Sequence, residues 1–445
     1  MTVKPLSLVS ILLLSRLFLF GQNTTTGQYK QDFNYFWTTI NDEYCYFNKK
    51  QTDWEKVKKM YAPAMDSISS RDPFVSLLEK ALYEIYDHHA ILNTNTKYSQ
   101  RLVPAGTDIW AEYIAEKPII TELRKGFGAE ACGIAAGMEV IAINDIPVAA
   151  AIKDFLPGSL KREDNEAKNF ALRLLCAGNH AQPRKLTLKY QGTIKDFFPD
   201  KDSSMLEHIQ YPAKIESKLI GNIGYIRIND CLYDNDLIPA FDSVMQSFKN
   251  TSALILDLRE TPSGGNTSVA RAILGWFIDK DHFYQKHEYY GEEKSSGIKR
   301  SWEEIVSPRK GKYYSKPLII LCDHWTGSIA EGIVIGFDGL HRSSTQIIGT
   351  ELARLNGAVY SFELPFPKYD LRFLPNGCTI LMECPGKNLF PRCLLIGEKK
   401  KQNPEPIFLL QKHLSAWVKS KEGLHSFNIC RHDSCRHEPW RRKFG

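Results

Sequence analysis

Ser328 stands between two apolar runs, Pro317 to Cys322 and Ile329 to Ile335, which Thr326 and Gly327 help to join. The first run has the length of a buried strand and the second that of a helix, so the serine falls on a strand-to-helix turn. A turn of that kind exposes a hydroxyl above a sheet edge. It also begins a helix whose free N–H groups stabilise negative charge. Serine hydrolase chemistry is one reading of Ser328, and a plain helix N-cap is the other.

Two further segments supply what a serine nucleophile lacks. Leu254 to Arg259 reads as a buried strand, and Thr261-Pro262-Ser263-Gly264-Gly265-Asn266 follows it into a helix. Glycine lets backbone N–H groups come close to a reacting carbonyl, so Gly264 or Gly265 is a candidate oxyanion donor beside the N–H of Ile329. The second segment is Tyr86-Asp87-His88-His89-Ala90. A serine hydroxyl needs a base within hydrogen-bond reach, and histidine is the side chain most often tuned to neutral pH. His208, His282, His287, His324 and His341 have no comparable surroundings in the sequence.

The elements that must position these groups fall into blocks. From about 28 to 95, apolar residues such as Phe33, Phe36, Trp37, Ile40, Leu77, Leu78, Ala81 and Leu82 recur at helical spacing. From about 101 the pattern is strand-like: Pro118 to Leu123, then a short helix, a glycine turn and a strand over 128–145, then two strands joined at Gln191-Gly192. Beyond a polar link, strands at 223–228, 252–258 and 317–322 alternate with helices at 237–248, 266–278 and after Ser328. That alternation predicts parallel crossovers in an α/β layer.

A chain of 445 residues is too long for one compact core. Its 43% hydrophobic and 24% charged residues are ordinary for folded proteins and argue against wholesale disorder. The net charge of +6 gathers partly in the tail around Arg431, Arg436, Arg441, Arg442 and Lys443, without a basic stripe interleaved with aromatics, so nucleic acid is not an expected partner. Lys4, the nearly all-apolar Leu6 to Leu14, then Leu17 to Phe20 beyond Arg16, and Gly21 before a polar run have the layout of a secretory signal peptide, with an uncleaved anchor as the alternative. Of the ten cysteines, Cys176 and Cys322 lie in apolar runs and read as buried thiols. Cys430 and Cys435 with His432 and His437 match no common zinc spacing. The proposed chemistry needs no metal or organic cofactor.

Taken together, these segments resemble the S41 peptidases, the C-terminal processing or tail-specific proteases, which share a clan with the tricorn core protease and the photoreceptor retinoid-binding repeat. The resemblance spans roughly residues 30 to 375. Gly128 to Val148 looks like the core of a PDZ-like domain, and Asp257-Leu258-Arg259 through Gly265 is similar to the family's D-L-R-x-N-x-G-G segment. Thr326-x-Ser328-x-Ala330-Glu331 resembles T-x-S-A-x-E, with Ile329 in place of the first alanine. Asp87-x-His89 resembles the D-x-H of the tricorn-like branch.

The resemblance implies a multidomain α/β protein: signal peptide 1–21, N-terminal helical region 22–100 carrying the histidine, PDZ-like β-rich domain 101–200, catalytic core 201–410 of the crotonase-like ββα spiral type, and a divergent basic tail 411–445. The family's Ser–Lys arrangement is disfavoured, since Ile348 to Gly357 contains Arg354 but no lysine, and arginine stays protonated. The tricorn-like arrangement implies Ser328 as nucleophile and His89 as base, with His88 where relatives carry a supporting serine. The expected acidic member falls near Glu383 to Pro391, where Lys387 occupies the expected position and Glu383 is the nearest acid. The implied function is an exported serine endopeptidase, periplasmic or extracellular, whose PDZ-like part holds an extended or C-terminal segment of a polypeptide substrate. The alternatives are a catalytically impaired member that binds peptides or other ligands and, less favoured because the flanks of Ser328 lack G-x-S-x-G, an α/β-hydrolase esterase.

Overall fold

The computed structural model describes residues 24–201, 209, 211–366 and 370–379. The segment 1–21 read as a signal peptide, the basic tail, Glu383 and Lys387 lie outside the described residues. Among the described residues, no helix is long and apolar enough to cross a membrane.

Helices α1 (Thr26–Glu43), α2 (Trp54–Tyr61) and α3 (Arg71–Tyr83) pack around Phe33, Phe36, Ile40, Phe74 and Leu78. Thr25 caps α1 by accepting the Gln28 N–H, while the Gln28 side chain accepts the Thr25 N–H in return. Trp37 and Trp54 lock α1 to α2, each indole N–H donating to the other's backbone carbonyl at 2.9 and 3.0 Å. The helical pattern expected to reach about residue 95 stops at Tyr83. A turn carrying Asp87 to His89 follows, and then a short strand, β1 (Ile91–Leu92).

A second layer holds β2 (Ile109–Ile114), β3 (Lys117–Leu123), β4 (Glu139–Ile143), β5 (Ile146–Pro147), β6 (Leu186–Tyr190) and β7 (Thr193–Phe197). The order is β2-β3-β4-β6-β7, all antiparallel, with β5 added beside β4. Gln191 and Gly192 both take positive φ, as a tight two-residue hairpin requires. Short helices α4 (Gly128–Ala131) and α5 (Val148–Ala151) and the longer α6 (Asn165–Ala177) accompany this sheet.

The third layer is the α/β layer read from the alternation. Strands β8 (Ile215–Ile220), β9 (Ile223–Ile228), β10 (Ala253–Asp257), β13 (Leu318–Cys322) and β14 (Thr345–Gly349) lie in the order β14-β13-β10-β9-β8. Only β8 runs antiparallel to its neighbour. Leu254, Leu256, Leu318 and Ile320 bury one face under α7 (Leu237–Ser247), α8 (Thr267–Leu274) and α10 (Ile329–Gly339), while Ile255, Ile319 and Leu321 bury the other. Burial on both faces is why these strands read as unbroken apolar runs rather than alternating ones. The helix expected over 266–278 ends at Leu274. After Gly275, the buried Trp276, Phe277 and Ile278 continue the apolar pattern outside the helix.

The last sheet is not among the elements expected from the sequence pattern. It joins β11 (His282–Tyr289), β12 (Arg300–Val306), β15 (Ala358–Glu363) and β16 (Asp370–Thr379) to β1 from the N-terminal region, with α9 (Tyr290–Ser296) between β11 and β12. Pairing of β1 with β16 ties the segment just after His89 to the far end of the described chain. Trp325, wholly buried, joins three regions: its indole donates to the Thr107 carbonyl at 2.8 Å, and its ring packs in a cluster with Tyr86, Trp110 and Phe170.

Ile320 sits fully buried at the centre of β13, the strand that leads to Ser328. Ile320→Ala is expected to cost about 2–5 kcal/mol of stability, from lost burial plus the cavity left behind. Urea unfolding followed by circular dichroism would measure it.

Candidate active site

Parallel pairing of β10 and β13 sets the register Asp257↔Leu321, so the turns after both strands emerge side by side at one sheet edge. Backbone hydrogen bonds then stitch the two turns together. Thr261 N–H donates to the Trp325 carbonyl at 3.1 Å, and Gly327 N–H to the Thr261 carbonyl at 3.2 Å. The hydroxyls of Thr261 and Thr326 both donate to the Leu258 carbonyl, at 2.6 and 3.0 Å. Asp230 holds the glycine turn from the other side, accepting the N–H and hydroxyl of Ser263.

This stitching leaves no room for side chains. A Cβ on Gly264 would lie 2.6 Å from the Ser328 Cβ, and one on Gly327 would lie 2.6 Å from the Pro262 carbonyl oxygen. Gly264 also has φ of +70°, which only glycine adopts at low cost. The N–H of Gly264 donates to Thr261 at 3.3 Å, closing the turn. Of the two glycines singled out from the sequence, Gly264 thus turns its N–H into its own turn, and Gly265 lines the cavity of Ser328. Ile329, the first residue of α10, has an N–H with no acceptor inside the helix.

Ser328 itself has φ 54° and ψ −116°, a strained setting for a residue with a side chain. Its N–H donates to Glu331 Oε2 at 3.0 Å, and the other carboxyl oxygen accepts the Arg354 N–H at 2.8 Å. Burial pushes Glu331 up to about 8, against the lowering effect of those backbone donors. The Arg354 side chain pairs with Glu166 of α6 at 2.7 Å and with Glu351. It is thus a clamp between layers, and as an arginine it stays protonated.

The histidines come from the turn after α3. Tyr44 donates its hydroxyl to Asp87 at 2.6 Å, and Asp87 accepts the His89 N–H at 2.9 Å, fixing the turn. His89 Nδ1 lies 3.4 Å from the Asn356 carbonyl oxygen. A carbonyl can only accept, so Nδ1 carries the proton and Nε2 keeps its lone pair. Burial lowers the pKa of His89. His88 stacks on Phe170 at 4.3 Å, and burial pushes its pKa well below the ordinary histidine value, so it braces the turn.

Asn356, Leu355 and Gly357 line the same cavity as Gly265, Ser328 and Ile329, so the partner of His89 belongs to the wall around the serine. His287, Trp302 and Glu304 line it too. Nothing in the residues flanking His287 marks it as a site residue. Its place depends on the pairing of β11 with β12, which sets it opposite Trp302, and no local pattern in the sequence announces that pairing. The link through Asn356 is a backbone carbonyl and has no side-chain signature at all. Among the described residues no group of three or more His, Cys, Asp or Glu is placed to hold a metal ion.

Comparison with known proteins gives two family matches. Residues 222–368 match the profile of peptidase family S41, and residues 26–82 match the tricorn protease C1 domain. No curated protein matches the chain. Among solved structures, mature CPAF is 15% identical with a TM-score of 0.52, covering 80% of this chain and 90% of its own. A mutant of CPAF is 14% identical with a TM-score of 0.53, covering 82% and 92%. A putative peptidase from Parabacteroides merdae is 16% identical with a TM-score of 0.48, covering 80% and 84%. At such identities the likeness to CPAF is one of fold, a mixed α/β architecture.

Two outcomes follow from the site's geometry. Gly264→Ala is expected to destabilise the protein by about 1 kcal/mol or more, because it adds both a positive-φ penalty and a clash with Ser328; thermal unfolding against wild type would measure it. Glu331 keeps its proton in the folded state above the ordinary carboxyl value of 4.5, at which the unfolded chain releases it. Its contribution to stability is therefore whole at low pH and falls as pH rises from 4.5 to about 8. The slope reaches at most about 1.4 kcal/mol per pH unit. Denaturant midpoints of Glu331→Gln across that window should lack this part of the wild-type slope.

Proposed function

We propose, for a chain that belongs to peptidase family S41 and is a serine-type peptidase, that it is an exported endopeptidase in which Ser328 attacks and His89 is the general base. The observation that carries the assignment is the contact of His89 Nδ1 with the Asn356 carbonyl, on a loop lining the cavity of Ser328. That contact leaves Nε2 as the basic nitrogen of a histidine whose cavity partner is shared with the serine.

In the proposed reaction His89 Nε2 takes the Ser328 proton as Oγ adds to the scissile carbonyl. The N–H groups of Gly265 and Ile329 receive the oxyanion. Such a donor is typically worth about 2.7–4 kcal/mol of barrier. The imidazolium returns its proton to the leaving amine, and water then hydrolyses the acyl-enzyme with His89 again as base. No metal or organic cofactor enters these steps.

The antiparallel sheet β2-β3-β4-β6-β7 with its three helices is, on this reading, the PDZ-like domain, taking up an extended substrate segment by strand addition. Its α6 reaches the catalytic layer through the pair Glu166–Arg354. The layer from β8 to β14 is, on the same reading, the crotonase-like ββα spiral. Export rests on the N-terminal sequence pattern alone.

Ser328→Ala is expected to lower turnover of fluorogenic peptides on the order of 10⁴-fold or more without unfolding the protein. Labelling by a fluorophosphonate should vanish with it. Unchanged turnover would remove Ser328 as the nucleophile, and no labelling of the wild type would favour the impaired, ligand-binding reading. The pH profile provides a separate check. His89 must be neutral to act, and its value lies below the ordinary 6.5 because of burial. Activity should therefore persist as pH falls past 6.5 and be lost only below it. An acid limb of kcat/KM centred at or above 6.5 would remove His89 from that role.

A further inference from the structure

Beside Ser328 the cavity, about 370 Å³ in volume, runs along the β11–β12 hairpin. His287 and Trp302 sit opposite each other on the two strands and stack at 5.1 Å. His287 is only 6% exposed, yet neither ring nitrogen has a hydrogen-bond partner. A buried imidazole in that condition is unfavourable unless something else reaches it.

Glu304 is its nearest charged neighbour. Oε1 lies 3.5 Å from His287 Nε2, too far for a good hydrogen bond, while Oε2 accepts the hydroxyls of Tyr284, at 2.7 Å, and Thr267. The carboxylate is thus fixed by one oxygen and keeps the other for the cavity. No lysine or arginine is among the residues lining this space. The Arg300 guanidinium lies on the Trp302 ring, 5.7 Å from its centroid, and pairs with Glu292. Glu331, the other lining acid, is held protonated at neutral pH by burial, and burial likewise keeps His287 neutral. The wall therefore presents the Glu304 carboxyl, with no lysine or arginine lining the cavity beside it, next to neutral acceptors.

We propose that this cavity receives the lysine or arginine side chain of the substrate residue whose carbonyl Ser328 attacks, Glu304 pairing with the cation and a His287 ring nitrogen accepting one of its hydrogen bonds. The inference rests on Ser328 being the nucleophile and adds the substrate class. A cation drawn out of water needs a paired, hydrogen-bonded site, which Glu304 and His287 together supply. The volume lies within the usual range for side-chain-sized and small-ligand sites, about 300–1,000 Å³.

Diphenyl phosphonate probes carrying a basic, an apolar or an acidic side chain test this on the full chain, read as rates of covalent labelling at Ser328. The basic probe is expected to label at least tenfold faster than the other two. Glu304→Gln, which retains an oxygen for Tyr284 and Thr267, is expected to reduce that ratio at least tenfold, and His287→Phe, which keeps the stack on Trp302, to reduce it as well. Equal rates, an apolar or acidic preference, or a ratio unchanged in Glu304→Gln would overturn the inference. A plain fluorophosphonate run in parallel separates the two claims. If it labels Ser328 while the phosphonates show no basic preference, the pocket assignment alone fails; if it does not label, the nucleophile assignment fails first.

Discussion

The arrangement depends on one stitch: the turns after two parallel strands share backbone hydrogen bonds and the Leu258 carbonyl. Thr261 and Thr326 both donate to that oxygen, while the Gly327 N–H donates to the Thr261 carbonyl and the Thr261 N–H to that of Trp325. Because β10 and β13 are neighbours in register, these bonds cost no long-range rearrangement. They bring the glycine turn within a Cβ radius of Ser328, which places amide donors beside a hydroxyl without any side chain intervening.

The second constraint is a relay of polar contacts running outward from the serine. Glu331 takes the N–H groups of Ser328 and Arg354, and Arg354 grips Glu166 on the helix of the antiparallel layer. Two residues further along the same loop, Asn356 holds His89. A shift of α6 would therefore be felt at both the serine and the histidine, because the loop from 351 to 357 touches both. That loop is the mechanical junction of the site.

The parts legible in the sequence are those whose physics is local. Unbroken apolar runs marked β10 and β13 because both faces of that sheet are covered. Ser328 at a strand-to-helix turn and Gly264-Gly265 after a strand were visible as turn chemistry. What escaped depends on pairing between distant segments. His287 entered the cavity only through the β11–β12 register, and the α3 pattern gave no sign that Ile91–Leu92 would join β16. The helix expected to run to Ile278 was overextended because buried residues after Gly275 keep a helix-like apolar rhythm outside a helix. Glycine type alone left Gly264 and Gly265 equivalent as donors, and only the fold shows the Gly264 N–H turned into its own turn.

The proposed mechanism requires Ser328 and His89 to act as one unit. Single-turnover rates for His89→Ala, Ser328→Ala and the double variant test it most directly. Groups that work together lose their effect together, so the double variant should be no slower than the worse single. Losses that multiply would show two independent contributions and would contradict the pairing.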